Sequence, residues 1–173
     1  EYGQPKLREN YLLDTLECGG NTFAMACLLA NRKYGKNAQP GDVKTHHYII
    51  SFDPRDATDN GLTLEMAQAL GLQFCKGNFP GHPAIVCAHP DGHNGAGNIH
   101  VHIVISSLRI REVERRPHME KPCDWQEGCK HRCTSAMLRH LRTEVMELCQ
   151  SAGLYQIDLL KGSGDRITER EYW

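Results

Sequence analysis

The sequence predicts an α+β domain, in which a central antiparallel β-sheet of about five strands is flanked by helices. Two observations carry this reading. Ala84–His89 and Ile99–Leu108 both read as strands, and the loop between them spans only residues 90–98. Such a loop is too short for a helical crossover and suits a hairpin. Apolar residues at helical spacing, each run preceded by a capping side chain, mark three helices elsewhere. The resulting order of helix, strand, helix, strand, strand, helix places helices over one face of a sheet. A chain of 173 residues suits one compact domain with a sizeable core.

In chain order, residues 1–10 are polar, hold Gly3 and Pro5, and read as a loop. Asn21 and Thr22 can cap a helix from Phe23 to Arg32, whose apolar residues include Phe23, Met25, Ala26, Leu29 and Ala30. Lys44 to Phe52 reads as a strand ended by Asp53-Pro54. Thr63 opens a helix that the pattern ends at Gly71. Residues 109–130 look irregular, with Pro117, Pro122 and Gly128. Thr134 caps an amphipathic helix to Ala152, carrying Met137, Leu138, Leu141, Val145 and Leu148, and Gly153 stops it. The tail from Tyr155 has no clear pattern.

Composition limits function rather than naming it. Net charge is −1, so any nucleic-acid contact must come from a local patch, and Arg109, Arg111, Arg115 and Arg116 form one. Glu112 and Glu114 compensate it, so a solvated loop is an equal alternative. No apolar run approaches a membrane span. The lack of a signal-peptide pattern, with Cys18, Cys27, Cys75, Cys87 and Cys149 in or beside apolar segments, points to reduced thiols and a cytoplasmic location.

Ten histidines are unusual for this length, and their placement is telling. On a strand, residues two apart share a face, so His100 and His102 project together while Ile99, Val101 and Ile103 face the other way. His89 ends the neighbouring strand, and a hairpin brings it beside them. Three neutral imidazoles then form a metal-binding set with open positions for water or substrate. Asp91 can orient one imidazole through its other nitrogen, or close an Asx-turn. His93 reads as a loop residue or a fourth ligand.

His-hydrophobic-His is the signature of the HUH endonucleases. His89-x-Asp91 followed by His100-x-His102 and a hydrophobic run resembles the third motif of relaxase/mobilisation nucleases. His46-His47-Tyr48-Ile49-Ile50-Ser51-Phe52 resembles their second motif. The two together cover roughly residues 10–110, and the C-terminal third resembles relaxases of mobile elements in Gram-positive gut bacteria. The resemblance implies that residues 1–173 are a relaxase catalytic domain, with an irregular and helical part at 109–173. It implies cleavage of single-stranded DNA at a transfer origin, with possible accessory relaxosome proteins, through a tyrosine that attacks the scissile phosphate. It implies one Mg²⁺ or Mn²⁺ ion. Three imidazoles physically favour softer ions such as Mn²⁺, Ni²⁺ or Zn²⁺.

The family's nucleophile lies near its N-terminus, before the second motif. Tyr11 is the best-placed candidate by position. Its surroundings, Tyr11-Leu-Leu-Asp14, instead read as the strand after the nucleophile helix. Since the chain opens on Glu1 rather than Met, the expectation is a domain truncated at the N-terminus, with the nucleophile upstream. Tyr155 is a second candidate. Ser51 can bond a DNA phosphate, with a commonplace strand-end serine as the equal alternative. If the strand runs on past His102, Arg109 lies roughly 23 Å from the metal at about 3.3 Å per residue, where Arg109 and Arg111 would grip flanking DNA. Cys123, Cys129, His131 and Cys133 are a possible zinc cluster without the usual paired-cysteine spacing. Two rivals remain: a DNA-binding module without activity, and a different His-cluster metalloenzyme such as a cupin oxygenase, which the predicted helices disfavour.

Overall fold

The computed structural model describes residues 10–90 and 98–161. Strand β1 (Leu12–Leu16) is followed by helix α1 (Phe23–Tyr34), strand β2 (Thr45–Ser51), a one-turn helix α2 (Asp56–Asp59) and helix α3 (Leu64–Asn78). Strands β3 (Ala84–His89) and β4 (His100–Ser106) come next, then a 3-10 turn at Pro122–Asp124 and helix α4 (Ser135–Ser151). The α+β reading holds. The sheet has four strands among the described residues, in the order β1-β3-β4-β2, rather than about five, and every pairing is antiparallel.

The three long helices start the same way. Thr22, Thr63 and Thr134 sit in extended backbone, and each hydroxyl accepts a hydrogen bond from the amide three residues on, at 3.3, 3.2 and 3.1 Å. Each cap satisfies an amide that the first helical turn cannot pair internally. Gly35, at φ 60°, ends α1 in the left-handed conformation, and Gly153, at φ 68°, follows α4.

Helix α3 departs from the sequence reading. It runs seven residues beyond Gly71, to Asn78. Gly71 is not a stop. It is the point where the helix meets the sheet most closely, since a Cβ there would lie 2.4 Å from Val101 Cγ1 and 3.3 Å from Val86 Cγ1. Nearby, the buried Gln68 of α3 donates to the Asp14 carboxylate of β1 at 2.8 Å and to the Val86 carbonyl of β3 at 3.1 Å. Helix α3 thus spans three strands and fixes their common face.

That face is the core. Val101, Ile103 and Ile105 of β4 and Ala84, Val86 and Ala88 of β3 are wholly buried there, with Phe74 and Phe79 from α3 and its end and Met137, Leu141 and Leu148 from α4. The opposite face is covered at one end only by α1, where Cys27 hydrogen-bonds Ser106. Its other end carries the histidines.

A second polar knot closes the rim of the core. His131 Nε2 and the Tyr48 hydroxyl share a hydrogen bond of 2.7 Å, and the His46, Phe79 and His82 rings surround His131 at 4.8 to 5.6 Å. Burial, reinforced by His46 and Arg109, pushes the His131 pKa down to about 3.

Two predictions follow from this packing. Gly71→Ala drives a methyl group into Val101 and should destabilise the fold by about 1–3 kcal/mol in urea unfolding. Acid should also weaken the fold through His131. Its folded pKa lies below the unfolded value of 6.5, so its stabilising contribution is complete above that value and is lost as pH falls towards 3. His118, pulled down to about 4 by burial and by the stacked His140 ring, acts in the same direction. The urea midpoint should therefore drop between pH 7 and pH 4, and His131→Gln, which keeps a partner for Tyr48, should show a shallower drop. An equal slope in that variant would remove His131 from the explanation.

Candidate metal centre

The register of three strands builds the site. His89 pairs directly with His100 across β3 and β4, and Ser51 pairs with His100 across β2 and β4. One cross-strand row therefore reads His89, His100, Ser51. In the next row Cys87, His102 and Ile49 lie side by side. All of these residues share the face opposite the core, because neighbours in register project the same way. The hairpin expected from the spacing thus brings His89 to His100 and His102.

His102 is the centre of the group. The His89 ring lies 4.8 Å from it, 20° from parallel, and the His47 ring lies 5.0 Å from it at 24°. The His100 ring lies 5.7 Å from His89. His47 pairs in register with Val104, so it reaches His102 diagonally, a contact that long side chains make. Its Nε2 lies 2.8 Å from His102 Nδ1. Alternation along β2 puts His47 on the face of Ser51, but the sequence alone gives it no partner. The signal for this contact lay in register, which one strand's pattern does not contain.

The donor set suits a divalent ion. An ion about 2.1 Å from an imidazole nitrogen lies about 3.2 Å from the ring centre, so two ligating rings about 100° apart have centres about 5 Å apart. The His89–His102 spacing of 4.8 Å is close to this, and the His89–His100 spacing of 5.7 Å is longer. The ring planes do not yet converge, since His89 and His102 are nearly parallel. Consistent with that, no three His, Cys, Asp or Glu side chains among the described residues already meet around one point. A shared ion requires rotation about the ring torsions, which are soft in histidine. Asp91 and His93 lie outside the described residues.

The surroundings are open and partly apolar. Ser51 accepts a hydrogen bond from Asn98 Nδ2 at 3.2 Å. Leu13 and Ile49 are each about half exposed and, by register, stand on the histidine face. Tyr11, also half exposed, immediately precedes β1, where alternation places it on the same face as Leu13. Tyr155 is engaged elsewhere, its hydroxyl donating to Asp59 at 3.1 Å with Arg55 over the ring.

The arginines after β4 are placed by burial and pairing. Arg109 is buried, 5% exposed, and its guanidinium donates to the backbone carbonyls of Pro80 and Asp124. It clamps the chain after β4. Residues following a sheet leave carbonyls unpaired, and a five-donor fork satisfies several at once. Arg116 donates to the Gly77 carbonyl, and Arg115 lies over the Trp125 ring at 5.3 Å. Arg111 keeps half its surface but is paired with Glu17, whose carboxyl it holds below the usual range.

The cysteine-rich segment does not gather as a zinc cluster. Cys123 faces Asp124 and Arg132, whereas Cys133 faces the His46 ring and the Tyr48 hydroxyl. His131 is committed to Tyr48, and no disulfide joins cysteines among the described residues.

Arg109→Ala should therefore cost stability, about 2–3 kcal/mol for its charged hydrogen bonds, measured by urea unfolding. Unchanged stability with weakened, less salt-dependent DNA binding would restore the original assignment.

Comparison with known proteins agrees with this architecture. No curated protein matches the chain significantly. Among the described residues no helix is long and apolar enough to cross a membrane. The family model described as relaxase, MobA/VirD2-like, nuclease domain, matches residues 4–154. That span holds all four strands, the histidine face and α4, and the chain accordingly belongs to the relaxase family.

Proposed function

We propose that this chain is the catalytic domain of a metal-dependent DNA relaxase, which nicks and rejoins one strand at a transfer origin during conjugative mobilisation. The cross-strand row of His89, His100 and Ser51, with His102 one row on, is the observation that carries this reading beyond family membership. His89, His100 and His102 would hold one divalent ion through ring nitrogens, of which Mn²⁺, Ni²⁺ and Zn²⁺ suit imidazole and Mg²⁺ suits it least. When bound, the ion supplies charge that offsets the negative charge developing on the scissile phosphate.

The protein's own groups do the rest. Ser51, beside His100, offers a hydroxyl to a phosphate oxygen and so fixes the position of the strand. Leu13 and Ile49 give unpaired bases an apolar surface, which suits single-stranded rather than duplex DNA. Asp91 would orient one of the ligand imidazoles, as carboxylates do around bound metals. A tyrosine hydroxyl attacks phosphorus, the bond to the departing 3′ oxygen breaks, and a 5′-phosphotyrosyl bond remains for the rejoining step. Partners would be origin single-stranded DNA and accessory relaxosome proteins, in the cytoplasm.

The alternative is a DNA-binding domain that does not cleave. Tyr11 leads into a strand and has no helical setting, which favours binding without much covalent adduct by these residues alone. Two measurements separate the readings. His100→Ala with His102→Ala should abolish Mn²⁺ uptake in calorimetry while leaving the circular dichroism spectrum intact, and retained uptake would dismiss the metal centre. With Mn²⁺ and single-stranded origin DNA, residues 1–173 should retard the DNA yet form little denaturation-resistant adduct. Abundant adduct lost in Tyr11→Phe would instead make Tyr11 the nucleophile.

A further inference from the structure

We infer that His47 is a positioning residue for the metal centre: it accepts a hydrogen bond from His102 Nδ1 and so presents His102 Nε2 to the ion. This rests on the reading of His89, His100 and His102 as ligands.

Proton count decides the direction of this hydrogen bond. His47 Nε2 and His102 Nδ1 lie 2.8 Å apart, so one proton sits between them and only two neutral arrangements exist. If His47 donates, the proton of neutral His102 resides on Nε2, and that nitrogen has no lone pair for a metal. If His102 donates from Nδ1, its Nε2 carries the lone pair, and His47 holds its own proton on Nδ1. Only the second arrangement lets His102 ligate through Nε2. Bound imidazoles commonly pass their remaining N–H to a carboxylate, carbonyl or water, which fixes ring orientation and tautomer. Here the acceptor is a second imidazole supplied by the neighbouring strand.

Geometry limits His47 to this part. It faces Val104 in register, one row further along β4 than His102, whereas His89 and His100 lie on the other side of His102. His47 meets His102 edge to edge, nitrogen to nitrogen, with ring centres 5.0 Å apart and planes 24° from parallel. The one hydrogen bond in the plane of the ring thus sets its orientation as well as its tautomer. His47 is itself exposed on the strand surface, so replacing it removes the acceptor without opening a cavity.

The test compares Mn²⁺ affinity, by calorimetry, across three variants of residues 1–173. His47→Ala should weaken binding about 10- to 100-fold, the usual loss when such a partner is removed. His47→Gln carries a carbonyl oxygen near the position of Nε2 and should recover most of that loss. His102→Ala should abolish binding. An affinity in His47→Ala within twofold of the parent would overturn the inference. So would a His47→Gln variant as deficient as His102→Ala, which would make His47 a ligand in its own right, or one no better than His47→Ala, which would leave it only a packing role. If His102→Ala binds Mn²⁺ normally, the metal centre itself is misplaced, an outcome distinct from failure of His47 alone.

Discussion

Strand alternation on β4 is the constraint on which the rest depends. Val101, Ile103 and Ile105 are driven into the core, and that burial forces His100 and His102 to the opposite side. A slip of one residue would exchange the two sets, placing imidazoles against α3 and aliphatic chains in the open. The cost of that exchange is large because three branched side chains would leave a close-packed interior. Hydrophobic burial on one side of the sheet thus holds the chemistry on the other, and the histidines need little local support to stay in place.

The same constraint explains why α3 bears so directly on a face it never touches. Its approach at Gly71 sets the height of Val101, which sits between His100 and His102 in the chain. Gln68 ties β1 and β3 together through Asp14 and the Val86 carbonyl. Arg109 and the Tyr48–His131 pair then close the rim, so the segment after β4 is anchored to carbonyls and rings of the core. These polar groups seal the edges of the core, and Arg109 and Arg116 of the basic run each satisfy backbone carbonyls there.

Much of this was legible in the sequence because it rests on local periodicity. The alternation of Ile99 to Leu108, the three threonine caps and the short loop after His89 each depend on neighbours a few residues away, and the fold class with three histidines on one face follows from them. Two things did not follow. Gly71 is locally a helix stop, and only the nearness of Val101 turns it into a packing necessity. The fates of Arg109 and His47 depend on partners from distant segments, Pro80 and Asp124 for one and β4 for the other. Charge and spacing say what a side chain can do, but the choice among its partners is made by register and burial.

The outer position of β2 adds a consequence of a different kind. β3 and β4 each have a strand on both sides, whereas β2 has a neighbour on one side only among the described strands. An outer strand opens more readily in native-state fluctuations, and its amides exchange with solvent sooner. Ser51 and His47 are borne by this less secure strand, while His89, His100 and His102 stand on the two interior ones. Fraying at the margin would disturb Ser51 and His47 before it disturbed the three histidines of the interior strands. Substitutions in β2 would therefore be felt first at Ser51 and His47, with the interior strands left undisturbed.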